Sequence, residues 1–210
     1  MRNSGIDVLG RIPWGMHMSL LYETKQDLMD ILVPYFKAGL ENNEFCMWVT
    51  SDLVDKEAAY KAIGASVDGF EQYFRKGQIE IVPYREWYLK AGFFSPIQSI
   101  VSWVEKHKWA ISQKYEGLRA TGDIFWLETQ DWRRFMSYEN EINKAIRRYH
   151  VIALCTYPLS KCNTSSIIDV GINHRLALVK EKGKWKIVKN RVYKRMKERL
   201  SWKSSFAFES

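Results

Sequence analysis

The chain has 210 residues, 46% hydrophobic, 14% aromatic and 27% charged, which is enough to bury a sizeable core and argues against disorder. No apolar run approaches the roughly 20 residues that span a bilayer. The net charge of +8 is unevenly placed: eleven Lys/Arg and two Glu fall in residues 180–203, so the rest of the chain is near neutral and offers no nucleic-acid groove by charge.

In chain order, "MHMSLLY" (16–22) reads as a buried first strand. From Lys25 the period changes, and Leu28, Ile31, Leu32, Tyr35 and Phe36 mark a helix that ends near "AGLENN". "EFCMWVTS" is a nearly continuous apolar run, as expected of a central parallel strand buried on both faces. "DLVDKEAAYKAIG" and "VDGFEQYFRKG" read as helices, and "QIEIVPY" as a third strand. A long helix starts at "SPIQSIVSW", with Ser95 as cap and Pro96 at its first position, and runs to "KYEG". "LRATGDIFWL" is a fourth strand, "DWRRFMSYENEINKAIRRY" a helix and "HVIALCTYPL" a fifth strand. "SSIIDVGINH" is a short helix or turn. "RLALVKEKGKWKIVKN" alternates on both sides of Gly183 and reads as a hairpin. Strands alternating with helices predict an α/β fold of three layers, a mainly parallel sheet with helices on both faces and an antiparallel hairpin at the end. One domain over 1–193 and a basic tail over 194–210 are expected. The tail has Val192, Met196 and Leu200 at helical spacing before and within it, and is the candidate for weak contact with nucleic acid or an anionic surface.

A strand followed by a loop and a long helix commonly carries a phosphate-binding loop. Such a loop needs glycines for close backbone approach, a lysine for the phosphates and a hydroxyl for the metal. Here it reads "YETKQDLM", with no glycine between Gly15 and Gly39 and no Ser or Thr after Lys25. Glu23 and Asp27 would repel a triphosphate, and Thr24 or Asp27 is positioned to cap the helix. ATP binding by the usual route is not expected.

The runs "GLENNEFCMWVTS", "GLRATGDIFW", "YENEIN" and "ALCTYPLS", with His17 and Tyr22 around the first strand and His174 before a hairpin ending "KNRVY", resemble the DcmR-like sensory domain (MEDS). That family looks like a RecA-type, circadian-clock-ATPase-like fold that has lost its phosphate-binding loop. The resemblance covers roughly residues 10–193; Arg175 and Arg191 stand where the family tends to have proline. It implies a sensory input domain for signal transduction, attached to a histidine kinase or transcription regulator or acting alone. It also implies detection of small hydrocarbon-like or one-carbon compounds, and a methanogen, archaeal setting.

Ligands of open parallel sheets bind beyond the carboxyl ends of the strands. Those ends offer Tyr22–Glu23, Trp126 and Tyr157. Tyr22 and Trp126 suit an apolar pocket for a small organic ligand, with His17 or Glu23 as a polar contact; alternatively these rings only fill the emptied nucleotide crevice. His17 reads as a core histidine or a ligand contact, His174 as a cap or a functional group, and His107 as part of a solvated helix face. Cys46 and Cys155 lie in apolar strands and read as small core residues. Cys155 and Cys162 are seven apart and no CxxC or HxxxH spacing exists, so no metal and no cofactor are expected. Asp123 precedes the apolar residues of its strand and reads as structural. No GxSxG motif or visible nucleophile–base pair supports catalysis. The function expected is therefore a non-catalytic, cytoplasmic ligand sensor, free or homo-oligomeric. The alternatives are a degenerate ATPase that retains nucleotide, or a regulator contacting nucleic acid through its tail.

Overall fold

The computed structural model describes residues 1–190; the expected basic tail lies outside the described residues. Two short strands, β1 (Arg2–Asn3) and β2 (Arg11–Ile12), form a small antiparallel pair. The main body then runs β3 (Met16–Tyr22), α1 (Lys25–Glu41), β4 (Phe45–Thr50), α2 (Lys56–Gly64), α3 (Phe70–Arg75), β5 (Ile79–Pro83), α4 (Tyr84–Tyr88), α5 (Pro96–Ser112) and β6 (Leu118–Asp123). It continues with α6 (Trp132–Ala145), β7 (Val151–Pro158), α7 (Thr164–Asn173), β8 (Leu176–Glu181) and β9 (Lys184–Lys189). The sheet order is β5-β4-β6-β7-β3-β8-β9. The first six of these strands are parallel, and β9 closes the edge antiparallel to β8. This is the expected doubly covered parallel sheet with a terminal hairpin.

Every residue of β4 is buried, and its alternation splits the core in two. Cys46 and Trp48 join Met18, Leu20, Tyr22, Tyr35 and Phe36 under α1 and α2. Phe45, Met47 and Val49 join Leu21, Tyr88, Phe94, Phe135, Tyr138 and Tyr157 on the opposite face. Burying apolar surface on both faces drives the layering, at about 25 cal/mol per Å² removed from water.

Some boundaries differ from the sequence expectation for local reasons. The fourth strand stops at Asp123 rather than Leu127, because Asp123 Oδ1 accepts a hydrogen bond from the Phe125 N–H at 2.7 Å and turns the chain. The long helix stops at Ser112 rather than Gly117, since Lys114 takes a left-handed φ of 70°. The β1–β2 pair and α4 were not expected from the pattern.

The loop after β3 is closed upon itself. Thr24 Oγ1 accepts from the Asp27 N–H at 3.1 Å, while Asp27 Oδ2 accepts from the N–H groups of Glu23 and Thr24 at 3.2 and 3.0 Å. This reciprocal cap puts a side-chain carboxylate at the helix N-terminus, where an anion is favoured. Lys180 of β8 completes it with a 2.6 Å ion pair to Asp27.

Candidate functional site

The alternation of β3 that sends Met18, Leu20 and Tyr22 to the α1 side sends His17 to the other face. In register, His17 lies beside Ala153 and Ser19 beside Cys155, so His17 and Cys155 emerge from neighbouring strands on one face. Helix α6 lies over them with Phe135, Met136, Tyr138, Glu139, Ile142 and Asn143 buried at helical spacing. Glu139 is therefore an acid in the middle of an apolar stripe, 1% exposed. Helix α7 ends at Asn173, and His174 caps it.

These elements bring four side chains to one point. His17 Nε2 lies 3.3 Å from Cys155 Sγ and 3.3 Å from Glu139 Oε2. His174 Nε2 lies 3.1 Å from the same Glu139 oxygen. The four donor atoms all fall within 4.8 Å of one another. The two imidazoles pack with ring centroids 4.2 Å apart, and the Tyr157 ring meets that of His174 edge-on at 5.6 Å.

The electrostatics of this group are unbalanced. His174 Nδ1 lies 2.8 Å from the Val170 carbonyl, which can only accept, so Nδ1 carries the proton. The ring therefore presents Nε2 to the same carboxylate oxygen that faces His17. His174 Nε2 and Glu139 Oε2 both lack a hydrogen bond of ordinary geometry, as do His17 Nδ1, Asn143 Oδ1 and the Tyr157 hydroxyl. Burial, then the neighbouring His174, lowers the basicity of His17 below that of a free imidazole. Burial opposes the Glu139 charge, but its contacts with His17 and His174 outweigh burial and hold the carboxyl at about 2. Burial, then the Glu139 charge, pushes the Cys155 thiol well above its usual range. The result is a buried carboxylate enclosed by two imidazole nitrogens and a thiol.

Beside this cluster is a cavity of about 40 Å³ between α5, α6 and strands β6 and β7. A water needs roughly 10–15 Å³ by the same measure, so a molecule of a few heavy atoms fits. The wall is mostly apolar and includes Trp103, Ala145, Ala153 and Tyr88, with Thr121, Cys155 and His107 among its polar members. Cys155 thus belongs to both the cluster and the cavity wall, which is why it is half-buried in a strand whose neighbours Leu154 and Thr156 are fully buried. Gly122 keeps the wall in place: a Cβ there would lie 2.2 Å from the Tyr88 hydroxyl.

The family model of the methanogen/methylotroph, DcmR sensory domain (MEDS) matches residues 16–175, a span that begins at β3 and ends immediately after His174. The chain belongs to the MEDS family. No curated protein matches it. Among solved structures, it is similar to a KaiC-like protein of Pyrococcus horikoshii, at 17% identity and a TM-score of 0.56, over 89% of this chain and 85% of that one. It is also similar to the flagellar accessory protein FlaH of Methanocaldococcus jannaschii, at 13% identity and a TM-score of 0.53, over 87% and 81%. At such identities the likeness concerns the fold, which is RecA-like. Among the described residues no helix is long and apolar enough to cross a membrane.

Of the six residues singled out in this MEDS sequence, the structure brings together His17, Tyr157 and His174, all around Glu139. Tyr22 and Trp126 are not joined: Tyr22 belongs to the core under α1, and Trp126 packs against the core of the other face. The Tyr22 hydroxyl donates to Asp123 Oδ2 at 2.8 Å, and Thr156 donates to the same oxygen at 2.7 Å. Trp126 stacks on Tyr84 and Tyr88 at 5.8 and 5.5 Å and meets Phe94 at 5.6 Å. Glu23 is exposed beside the α1 cap. His107 is not on a solvated face: it is 8% exposed and lines the cavity, with neither ring nitrogen bonded. Sequence reasoning missed Glu139 as a site residue, although "YENEIN" places an acid on an apolar helical stripe. It read Cys155 as a small core residue because the cysteine lies in the apolar run "VIALCTY" and no CxxC or HxxxH spacing marks it.

Proposed function

We propose that this MEDS domain is a non-catalytic sensory module that admits a small, mostly apolar organic molecule, of one-carbon or short hydrocarbon type, to the cavity beside Cys155. The observation that carries the reading is an apolar cavity of about 40 Å³ that reaches a buried polar cluster on one face of the sheet, around His17 of β3 and Cys155 of β7. Its size favours a ligand of a few heavy atoms, and its wall favours an apolar body with at most one polar end. The loop after β3 supports the same reading. Its N–H groups are already taken by Asp27, and a triphosphate there would have to displace a carboxylate that Lys180 also holds. Sensing requires that the ligand prefer one conformation or assembly over another, since equal affinity shifts nothing.

The test is a screen of small halogenated, oxygenated and thiolated hydrocarbons against ATP–Mg, by thermal shift and by fluorescence of the protein's tryptophans, of which Trp103 lines the cavity. A saturable response to one compound class that disappears in Ala145→Leu supports the reading. Saturable binding of ATP–Mg, with no response to any small organic compound, overturns it.

A further inference from the structure

We propose that His17, Glu139, Cys155 and His174 form a binding site for one divalent transition-metal ion of the zinc class, with Cys155 coordinating as a thiolate. The inference stands on the cluster itself and does not depend on the identity, or the existence, of an organic ligand in the neighbouring cavity.

Four observations converge. The first is the donor set: two imidazole nitrogens, one thiol sulfur and one carboxylate oxygen, drawn from β3, α6, β7 and the end of α7. Zinc accepts this mixture in tetrahedral geometry, whereas magnesium and calcium require several oxygen ligands and would find a single carboxylate. The second is spacing. Donors at about 2.0–2.3 Å from a tetrahedral ion lie roughly 3.3–3.8 Å from each other. The contacts of 3.1, 3.3 and 3.3 Å and the outer limit of 4.8 Å are close to that arrangement. The third is the direction of the lone pairs. The Val170 carbonyl fixes the Nδ1–H tautomer of His174 and so presents Nε2 to the centre, as outer-shell carbonyls do for metal-binding histidines. The fourth is charge. A dication with one carboxylate and one thiolate is neutral, which suits a site where His17, Glu139 and His174 are each no more than 1% exposed.

A buried hydrogen-bonded network is the competing account. It would give each polar atom a partner, yet Glu139 Oε2 and His174 Nε2 have none of ordinary geometry although they lie 3.1 Å apart. A cation between them removes that conflict. The balance of the step is simple: the metal ion enters, the Cys155 S–H bond breaks heterolytically as the S–metal bond forms, and one proton leaves to solvent. No electron is transferred.

The experiment uses the full chain, treated with a chelator and titrated with Co²⁺ and then Zn²⁺. One equivalent of Co²⁺ should give the intense visible bands of a tetrahedral ion together with a near-ultraviolet sulfur-to-cobalt charge-transfer band, and Zn²⁺ should abolish both. Cys155→Ser should lose the charge-transfer band, while Cys46→Ser and Cys162→Ser keep it. Glu139→Gln preserves shape, so it guards against loss through misfolding; it should weaken Co²⁺ binding at least about tenfold with the circular dichroism spectrum unchanged. The proposal is overturned if folded wild-type protein binds less than one equivalent at saturating Co²⁺. It is equally overturned if the charge-transfer band survives Cys155→Ser. The cavity reading fails separately, by absence of any organic ligand whose binding Ala145→Leu blocks.

Discussion

Each face of the sheet buries a carboxylate, and the chain answers the two in different ways. Under α1, Glu44 is paired with Arg119 of β6 at 2.5 Å and with Arg2 at 2.8 Å. Three more of the five Arg119 N–H groups donate to the carbonyls of Ser4, Tyr35 and Asn3 at 2.8–3.0 Å. Gly39 leaves the room for it, since a Cβ there would lie 2.7 Å from Arg119 Cδ. Under α6, Glu139 faces two imidazoles and a thiol with no fixed positive charge among them. Buried charge is expensive, and a protein that merely needs a core has no use for a carboxylate enclosed by two imidazoles and a thiol. A saturated network of this kind ties the N-terminal segment to the sheet. An unsaturated one marks the place where something other than the chain supplies the missing positive charge.

The largest expected effect lies on the saturated face. Arg119→Ala leaves Glu44 buried with only Arg2, and should cost about 3–5 kcal/mol of unfolding free energy. Urea denaturation measures it. A loss below 1 kcal/mol would mean that saturation on this face is not structural, and the contrast between the faces would fall.

On the other face stability should depend on what is added. Zn²⁺ at a hundred times its dissociation constant should stabilise the wild type by about 2.7 kcal/mol, and Glu139→Gln should lose most of that gain. The affinity should also depend on pH, with a sign fixed by the thiol. Burial, then Glu139, raises Cys155, so the proton is bound throughout the neutral range and competes with the metal. Affinity therefore rises with pH, about tenfold per unit for one released proton, and falls as the solution is acidified. Isothermal titration in buffers of different ionisation enthalpy counts that proton directly. A pH-independent affinity would remove Cys155 from the ligand set.

The layered fold was legible because its signal is local. Period-2 and period-3.6 patterns, Ser95 before Pro96, and the turn at Gly183 each fix an element without reference to distant residues. The cap of α1 was legible too: "YETKQDLM" offered Thr24 or Asp27, and the structure uses both. The cluster was not, because its four donors come from residues 17, 139, 155 and 174 and no spacing rule links them. What joins His17 to Cys155 is strand register, and what adds Glu139 is the rotation of α6 over the sheet. The pairing of Tyr22 with Trp126 failed for a related reason: both follow strand ends, but Asp123 turns the chain after β6 and carries Trp126 to the opposite core from Tyr22.

The cavity allows a smaller test of the same contrast. Ala145, the last residue of α6, is half-buried on the cavity wall, and Ala145→Leu places three further carbons there. Filling space without disturbing a polar group should change stability by about 0.5–1 kcal/mol in either direction. Response to an organic ligand should vanish and Co²⁺ binding should persist. Loss of both together would show that cavity and cluster are one site that cannot be occupied in parts.

The smallest effect on binding is expected at Tyr22, the residue that the sequence favoured for ligand contact. Its hydroxyl donates to Asp123 Oδ2, but that carboxylate also accepts from Thr156 and from the Phe125 N–H. Burial raises Asp123, and these donors, with Ser51, counter it, so removing one leaves the carboxylate with the others. Tyr22→Phe keeps the ring in the core under α1 and deletes one hydrogen bond, at a cost of about 0.5–1.5 kcal/mol. Ligand response and metal binding should both stay at wild-type strength, because Tyr22 belongs to the core on the face away from the cluster. Thermal denaturation gives the first number and the cobalt titration the second. If Tyr22→Phe abolished ligand response while leaving the fold intact, the recognition site would lie at the end of β3 rather than beside Cys155.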